Sequence, residues 1–415
     1  MSASTRRRVA IVSHSRERVG GVETYVASIV PALRRAGHEV GCWFETAGIG
    51  GDPVIAAADG VASWVASTDP DLSLAALEAW KPDVVYGHGV VSPTHERATM
   101  QLAPAVFFAH SYYGACVSGT KSHRFPVLRT CERVFGPGCL AQYYPRRCGG
   151  WSPVTLARQY RLQRHRLDLL TGYARILVAS QHMADEYGRH GLSPAVRVVP
   201  LPVETPVIEA PAPLSARPAD AVGRWRLLFL GRFEETKGAH IALESAALVA
   251  ASTATPVELQ LSGEGSWRGR LADRASVLMA RDPKLRVTLT PWLTAAGTAE
   301  ALDQADLLLV PSLWPEPFGM VGVEAARRGV PAVAFAVGGI PDWLIDGRTG
   351  ALVPAQPRAA ASFAAAVVRT LSDTAGWQRM RAACPEAAAR FSVDAHVRAL
   401  ESVFDEVAGA AGRAA

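Results

Sequence analysis

The stretch ADLLLVPSLWPEPFGMVGVEAARRGVPAVAF, residues 305–335, contains an apolar run, a proline-rich turn, a helical pattern and a second apolar run. Prolines 315 and 317 exclude a helix before Phe318, so the helix is predicted to begin near Met320. Two short buried strands joined through a helix are typical of a parallel sheet that helices cover on both faces. The stretch therefore predicts one βαβ unit of a doubly wound α/β fold.

The same alternation of apolar strands and helical patterns extends through the rest of the chain. Upstream, RVAIVSH, EVGCWFE, PDVVYGH and PAVFFAHS are predicted strands, and an amphipathic helix follows the first of them. Downstream of a Pro- and Ala-rich segment, RLLFLGR, VELQLSGEG, LRVTLTPW, ADLLLVPS and VPAVAFAVGG form a second series. Two consecutive doubly wound domains are predicted, with ligands at the carboxyl ends of their strands.

The chain of 415 residues is long enough for two domains of ~100–200 residues each. We predict an N-terminal domain over 1–203, with a cysteine-containing insertion at about 111–152, and a linker over 204–222. A second domain is predicted over 223–385, followed by a C-terminal helix over 386–415.

Composition restricts the class of protein. The net charge of +5 comes from scattered arginines rather than dense basic runs, which argues against a nucleic-acid partner. No apolar run approaches the ~18 residues of a membrane span, and the N-terminus has no apolar core of a secretion signal. We therefore expect a globular cytoplasmic enzyme.

Two carboxylates of the opening stretch, Glu316 and Glu324, are candidate functional groups. The free N–H groups of a helix that begins near Met320 would attract an anion such as a phosphate. A metal pair, a hydrolase acid/base pair, and two solvated carboxylates without a ligand are all conceivable. Beside an anion site, ionised carboxylates are better suited to accepting hydrogen bonds from sugar hydroxyls on either side of a diphosphate.

The segment LFLGRFEETKGAHIAL places Gly231 and Arg232 after a predicted strand and Lys237 at the start of the next helix. Lys237 is one of only four lysines in the chain, and it lies where a phosphate would bind. The segment is not a Walker loop, because the G-x-x-x-x-G-K order is missing. In LSGEGSWRGRL, Arg268 replaces the third glycine of a dinucleotide fingerprint, which argues against a nicotinamide enzyme.

GRFEETKG, SGEG and the E-x7-E stretch resemble the donor-binding half of retaining glycosyltransferases of family 4. The resemblance covers essentially the whole chain and implies the GT-B fold, in which two Rossmann-like domains face each other across a cleft. It also implies a C-terminal helix that returns to the N-terminal domain, and catalysis that requires no cofactor.

The implied reaction is transfer of a sugar from a nucleotide diphosphate sugar, with UDP favoured over GDP, to a hydroxyl or amine. The acceptor would be a small natural product, a lipid or a polysaccharide, and the sequence does not indicate the oligomeric state. The alternatives are another GT-B enzyme, such as a phosphorylase or nucleotide-sugar epimerase, and a non-catalytic nucleotide-sugar-binding protein.

Residue roles follow from the same resemblance. Glu316 would contact the hydroxyls of the transferred sugar, Glu324 the ribose, and Arg232 and Lys237 the diphosphate. His110, at the end of the strand PAVFFAH, would lie near the reacting carbon, although a histidine that merely completes a strand end is the alternative. The remaining donor-binding positions are Gly20, Gly21, Gly231, Gly263, Gly265, Trp292, Leu293, Phe318, Gly319, Met320 and Val321.

Four cysteines, Cys116, Cys131, Cys139 and Cys148, are clustered with the spacing C-x14-C-x7-C-x8-C. The spacing has no C-x-x-C knuckle, so structural zinc, free buried thiols and a redox pair all remain open. A basic helix follows, with Arg158, Arg161, Arg164 and Arg166, and leaves membrane association as a further alternative.

Overall fold

A computed structural model describes residues 6–18, 20–56, 59–203 and 223–414, with side chains up to residue 410. The predicted linker over 204–222 lies outside the described residues. The chain divides into two compact units. Unit 1 comprises Met1–Pro126, Cys131–Glu204 and Ser392–Ala415, and unit 2 comprises Val127–Thr130 and Thr205–Phe391.

Unit 1 is built on a parallel sheet with the strand order β3-β2-β1-β4-β5-β8-β9. Its strands are β1 (Arg8–Ser15), β2 (Glu39–Thr46), β3 (Ala62–Val65), β4 (Val84–Gly87), β5 (Ala105–Ala109), β8 (Arg175–Val178) and β9 (Val196–Val198). Two-residue strands β6 (Ser122–His123) and β7 (Arg129–Thr130) lie in the cysteine-containing segment. The helices are α1 (Gly21–Arg35), α2 (Pro70–Ala79), α3 (Pro93–Met100), α4 (Gly138–Tyr143), α5 (Pro153–Leu170) and α6 (Gln181–Arg189).

The C-terminal helix α13 (Val393–Ala414) completes unit 1. Leu400 and Phe404 on its apolar face are fully buried, and Arg7 before β1 forms an ion pair with Asp405 at 2.6 Å. The expected return of this helix to the N-terminal domain is therefore observed. Its first residue is Val393, because residues 386–388 still belong to the preceding helix and a single 3-10 turn, Ala389–Phe391, separates the two.

Unit 2 is built on a second parallel sheet with the order β12-β11-β10-β13-β14-β15. Its strands are β10 (Trp225–Leu230), β11 (Val257–Ser262), β12 (Leu285–Thr290), β13 (Leu307–Val310), β14 (Ala332–Phe335) and β15 (Gly350–Val353). The helices are α7 (Ala239–Ser252), α8 (Arg268–Arg281), α9 (Ala295–Gln304), α10 (Met320–Arg327), α11 (Ala360–Ser372) and α12 (Thr374–Ala388).

The predicted class of two doubly wound α/β domains is confirmed by these two sheets. In each sheet the strand order reverses beside the first strand, at β1/β4 in unit 1 and at β10/β13 in unit 2. Such reversal points open a crevice at the carboxyl ends of the strands, where ligands bind. Across the described residues, no helix has the length and apolar character needed to span a membrane.

Candidate active site

The candidate donor site of unit 2 lies at the reversal point between β10 and β13. Gly231 and Arg232 follow β10, and the turn that carries Glu316 follows β13. Helix α10 begins at Met320, as the two prolines predict, and no side chain caps its N-terminus. The N–H of Gly322 donates to the carbonyl of Gly319 at 3.2 Å, so the N–H groups of Met320 and Val321 are those of the first turn that face an incoming anion.

Backbone contacts fix the turn before α10. Gly338 has φ +58°, and a Cβ there would lie 2.2 Å from the carbonyl oxygen of Glu316. The N–H of Gly339 donates to the same carbonyl at 2.7 Å. The indole Nε1 of Trp343 donates to the carbonyl of Phe318 at 2.8 Å. The segment around residues 338–343 thus holds Glu316 and the residues before α10 in one conformation.

Glu316 and Lys237 form a direct ion pair. Lys237 Nζ lies 2.6 Å from Glu316 Oε1, and the hydroxyl of Ser312 donates to the same oxygen at 2.5 Å. The carboxylate of Glu316 is 8% exposed and the lysine side chain 22%, so both face a recess rather than open solvent. The structure thus brings together two of the predicted residues that lie far apart in sequence.

Glu324, in the second turn of α10, lines a separate part of the same crevice. It borders a cavity of about 220 Å³ together with Gly231, Trp292, Leu293 and Val321, all of them predicted donor residues. Burial raises the pKa of the Glu324 carboxyl above its ordinary value. A carboxylate in this position gains hydrogen-bond partners when a ligand with hydroxyl groups enters the cavity.

The predicted glycines at the strand ends have a packing role. Gly263 has φ +150°, and a Cβ there would lie 2.0 Å from the carbonyl of Gly231. Gly265 has φ +154°, and its Cβ would lie 2.5 Å from the carbonyl of Phe233. Arg232 is different, since its side chain is half exposed and lies 3.4 Å from Glu234. The structure does not place Arg232 among the residues that line the cavity.

His110 lies at the end of β5 in unit 1, in a cluster of aromatic side chains. Nδ1 of His88 and Nε2 of His110 share a hydrogen bond of 3.0 Å, and the ring of Tyr25 packs against both imidazoles. His396 of α13 donates through Nδ1 to the carbonyl of Pro200 at 2.7 Å, so its Nε2 accepts from the Tyr25 hydroxyl at 2.7 Å. Burial lowers the pKa of His110 to about 3.

The predicted glycine turn of unit 1 precedes α1. Gly20 is the N-cap residue, and its N–H donates to Glu23 Oε2 at 2.9 Å. Gly21 is the first helical residue, and a Cβ there would meet no other atom within 4 Å. The turn is therefore a capped helix start, and Glu23 serves it as a structural partner.

The four clustered cysteines converge on one small cavity. All four line one cavity of about 30 Å³, and each is a free thiol. Burial raises the pKa of Cys148 to about 11, with the other three cysteines adding to the effect. Within the residues that the structure describes, no three His, Cys, Asp or Glu side chains are grouped so that they could hold a metal ion. Cys116, Cys131, Cys139 and Cys148 are free thiols in this structure.

Several residues of the two sites were not predicted from the sequence. Ser312, Gly338 and Trp343 support Glu316 or its turn, and His396 contacts the cluster around His110 from the opposite end of the chain. Only Ser312, four residues before Glu316 at a strand end, had a position that suggests a role.

Comparison with known proteins identifies the class. Residues 19–206 match the family model described as Glycosyltransferase Family 4, and residues 224–373 match the model described as Glycosyl transferases group 1. Together with the two parallel-sheet domains, these matches identify the chain as a GT-B glycosyltransferase, similar to family 4, that uses a nucleotide-sugar donor.

Particular relatives agree with this class. Glycogen synthase of Mycobacterium tuberculosis is 28% identical over 381 residues, which are 87% of this chain and 84% of that protein. D-inositol 3-phosphate glycosyltransferase of an Arthrobacter species is 36% identical over 132 residues, covering 32% of this chain and 31% of that one.

Solved structures share the fold. Anabaena HepE in complex with UDP superimposes with a TM-score of 0.65 at 15% identity, over 96% of this chain and 100% of that one. Sucrose-phosphate synthase of Thermosynechococcus elongatus gives a TM-score of 0.62 at 22% identity, over 98% and 100%.

Proposed function

We propose that this glycosyltransferase retains the configuration of the transferred sugar and takes it from a UDP-sugar to a hydroxyl or amine. The structure of HepE, similar in fold, contains UDP, which supports the choice of nucleotide. The relatives named as glycogen synthase and D-inositol 3-phosphate glycosyltransferase support a hydroxyl acceptor.

One arrangement carries the proposal: the pair of Lys237 and Glu316 beside the uncapped start of α10, with Glu324 in the adjoining cavity. In the proposed complex the diphosphate binds between Lys237 and the N–H groups at the helix start. Glu316 then accepts hydrogen bonds from the transferred sugar, and Glu324 accepts them from the ribose, with the base near Trp292 and Leu293. Arg232 contributes to the diphosphate only after its exposed side chain turns inward.

This arrangement suits departure of a nucleoside diphosphate. Negative charge develops on the diphosphate as the bond to the sugar breaks, and the positive groups at Lys237 and the helix start stabilise that charge without reorganising. In the retaining reaction that we propose, the acceptor enters on the face from which the diphosphate leaves, and a diphosphate oxygen takes its proton. His110 is proposed to act near the reacting carbon as a neutral imidazole, since burial lowers its pKa.

Thermal unfolding with UDP, GDP, ADP and their sugars tests the donor assignment. Because a ligand that binds only the folded state raises the Tm, UDP and UDP-sugars are expected to give the largest increase, and Lys237→Ala and Glu324→Ala are expected to abolish it. An equal increase with all three nucleotides would contradict the choice of UDP.

Donor hydrolysis followed by NMR tests the stereochemistry. Without acceptor, a retaining enzyme slowly transfers the sugar to water, and the first anomer released has the configuration of the donor. Release of the opposite anomer would contradict retention. A product formed only with added inorganic phosphate would indicate a phosphorylase, and an epimerised nucleotide sugar would indicate an epimerase.

A further inference from the structure

The segment that follows His110 in unit 1 has an unusual charge. Residues 124–166 contain nine arginines and a single acidic residue, Glu132, while the whole chain has a net charge of only +5. The arginines form no dense run, but nine of them against one acidic residue give this tenth of the chain a net charge of +8. A local excess of this size attracts an anionic partner over distances of ~10 Å at ordinary ionic strength.

The same segment exposes large apolar side chains. Trp151 is 71% exposed and Val154 76%, and Phe125 and Val134 are about half exposed. Large apolar side chains are normally buried in the protein interior. A cluster of them on the surface indicates a site that a partner covers. The segment has its own small core of Val117, Phe135, Tyr143 and Leu156, so the exposed residues are not needed to hold it together.

Contacts join these residues into one surface. The guanidinium of Arg147 lies 4.9 Å from the centre of the Phe125 ring, and the rings of Tyr144 and Trp151 are stacked at 5.9 Å. The N–H groups of Arg124 and Phe125 both donate to the carbonyl of Arg146. Two chain segments, at 124–125 and 144–151, are therefore held side by side.

Helix α5 extends this surface. Val154, Arg158 and Arg161 follow each other at the spacing of one helical face, and all three are exposed. The opposite face carries the buried Leu156 and Gln163. Arg164 forms an ion pair with Asp168, whereas Arg158 and Arg161 have no acidic partner among the described residues. We call Phe125, Arg147, Trp151, Val154, Arg158 and Arg161 the basic–aromatic band.

We propose that the basic–aromatic band docks this chain on the surface of an anionic lipid bilayer. Arginines bind the headgroup layer electrostatically, each strengthening membrane partition by about fivefold. Tryptophan and phenylalanine enter the boundary between headgroups and acyl chains, where an aromatic ring is stable. Charge alone would suit any polyanion and apolar residues alone would suit a neutral membrane, whereas the band combines the two and so fits an anionic bilayer. The inference is independent of the donor chemistry proposed above.

Sedimentation of the full chain with vesicles tests the proposal. Neutral phosphatidylcholine vesicles are compared with vesicles that also contain phosphatidylglycerol, at about 0.1 M salt and at higher salt. The wild-type chain is expected to pellet with the anionic vesicles only, and less as salt rises. The double variant Arg158→Glu/Arg161→Glu and the double variant Trp151→Ala/Val154→Ser are each expected to bind at least tenfold more weakly.

The matched control carries the same charge reversal in unit 2. Arg270 and Arg281 are exposed on α8, and Arg270→Glu/Arg281→Glu is expected to bind vesicles as the wild type does. A thermal unfolding transition with the Tm of the wild type checks that each variant folds. Equal binding to both kinds of vesicle, or wild-type binding by both band variants, would overturn the proposal. An oligomer that Trp151→Ala/Val154→Ser dissociates, without any vesicle binding, would instead make the band an interface between copies of this chain.

Discussion

Lys237 is the residue on which donor binding depends most directly. Its ammonium group is held by Glu316 at 2.6 Å, so the positive charge has a fixed position beside the start of α10. We expect Lys237→Ala to lower the rate of donor hydrolysis or sugar transfer by about 10²-fold or more, the usual cost of removing one group that stabilises charge in the transition state. Steady-state kinetics with a UDP-sugar measures this.

Lys284→Ala is the matched control for Lys237. Lys284 directly precedes β12, at the amino ends of the parallel strands, and its Nζ donates to the carbonyl of Thr253 at 2.7 Å. The control variant is expected to retain wild-type rates. Wild-type rates in Lys237→Ala would remove Lys237 from the proposed site.

Glu324 is expected to lower the stability of the folded chain while it contributes to binding of the donor. Burial raises the pKa of its carboxyl in the folded state above the ordinary value of 4.5. Between that value and the raised one, the folded chain binds more protons than the unfolded chain, so the contribution of Glu324 to stability falls as pH rises through this window. Above this window the ionised, partly buried carboxylate is therefore destabilising.

Glu324→Gln is expected to raise the Tm at pH 7 and to lose this advantage as the pH approaches 4.5, while UDP binding weakens. Thermal unfolding over that pH range, with and without UDP, measures both effects. A lower Tm at pH 7 with UDP binding intact would contradict the assignment of Glu324 to the ribose.

At the scale of single residues, the sequence was most informative where geometry is local. Prolines 315 and 317 predicted the start of α10 correctly, and the scarcity of lysine marked Lys237, which does contact Glu316. The contact between Tyr25 and His396 could not be predicted, because it forms only after two segments 371 positions apart have folded together. No periodicity or spacing encodes such a contact.

Helix α10 depends on the small size of Gly322. A Cβ at this position would lie 2.0 Å from the indole of Trp343, whose Nε1 donates to Phe318. Gly322→Ala must therefore displace the indole, at an expected cost of about 1–3 kcal/mol in the free energy of unfolding. Because the lost hydrogen bond fixes the residues before α10, UDP binding should weaken as well.

Gly269→Ala is the corresponding control, since a Cβ at position 269 of α8 meets no other atom within 4 Å. It is expected to be neutral or slightly stabilising, because alanine favours a helix more than glycine does. Denaturant unfolding and UDP titration of the two variants give the comparison. Equal stability of both would show that the indole adapts without loss.

At the scale of elements, long periodic patterns and buried apolar strands were predicted, and partly exposed strands were not. The helix over α1 was expected from its apolar face, and Tyr25, Val26 and Ile29 are indeed buried. Strands β3 and β15 were missed, because β3 has no fully buried position and two of the four residues of β15 are only partly buried. The four-residue strands β4, β13 and β14 were predicted, and all of their residues are buried. Strands such as β3 and β15 form because the edge of a neighbouring strand is available for pairing. The local sequence contains no information about that neighbour.

At the scale of the molecule, the buried histidines of unit 1 predict sensitivity to acid. Burial lowers the pKa of His110 to about 3 and that of His396 to about 4, and lowers that of His88 as well. Between 6.5 and these values the folded chain binds fewer protons than the unfolded chain, so stability is lost as pH falls below 6.5.

We expect the Tm to fall steeply from pH 6.5 towards pH 5, and to fall less steeply in His396→Gln. His165→Gln is the control, since His165 is exposed on α5. Differential scanning calorimetry across this range measures the slope. Identical slopes for the wild type and His396→Gln would mean that His396 is not buried as a neutral group.

The division of the chain into two units could be predicted from the sequence only in part. The two series of strands predicted two α/β domains, and both sheets are present. The assignment of α13 to the N-terminal domain was predicted only from the resemblance to a family. The amphipathic pattern of a helix indicates which of its faces is buried, but not which surface of the protein it packs against.

The position of α13 in unit 1 has a consequence for synthesis on the ribosome. Unit 1 contains the earliest described residues of the chain and also residues 393–414, with nearly the whole of unit 2 encoded between them. While unit 2 is being translated, Tyr25 has no His396 to contact, and the surface that receives Leu400 and Phe404 is uncovered. Domains usually fold in the order in which they emerge. Here the unit that begins first can be completed only after the other has been made, and its uncovered apolar surface is a natural binding site for a chaperone during that delay.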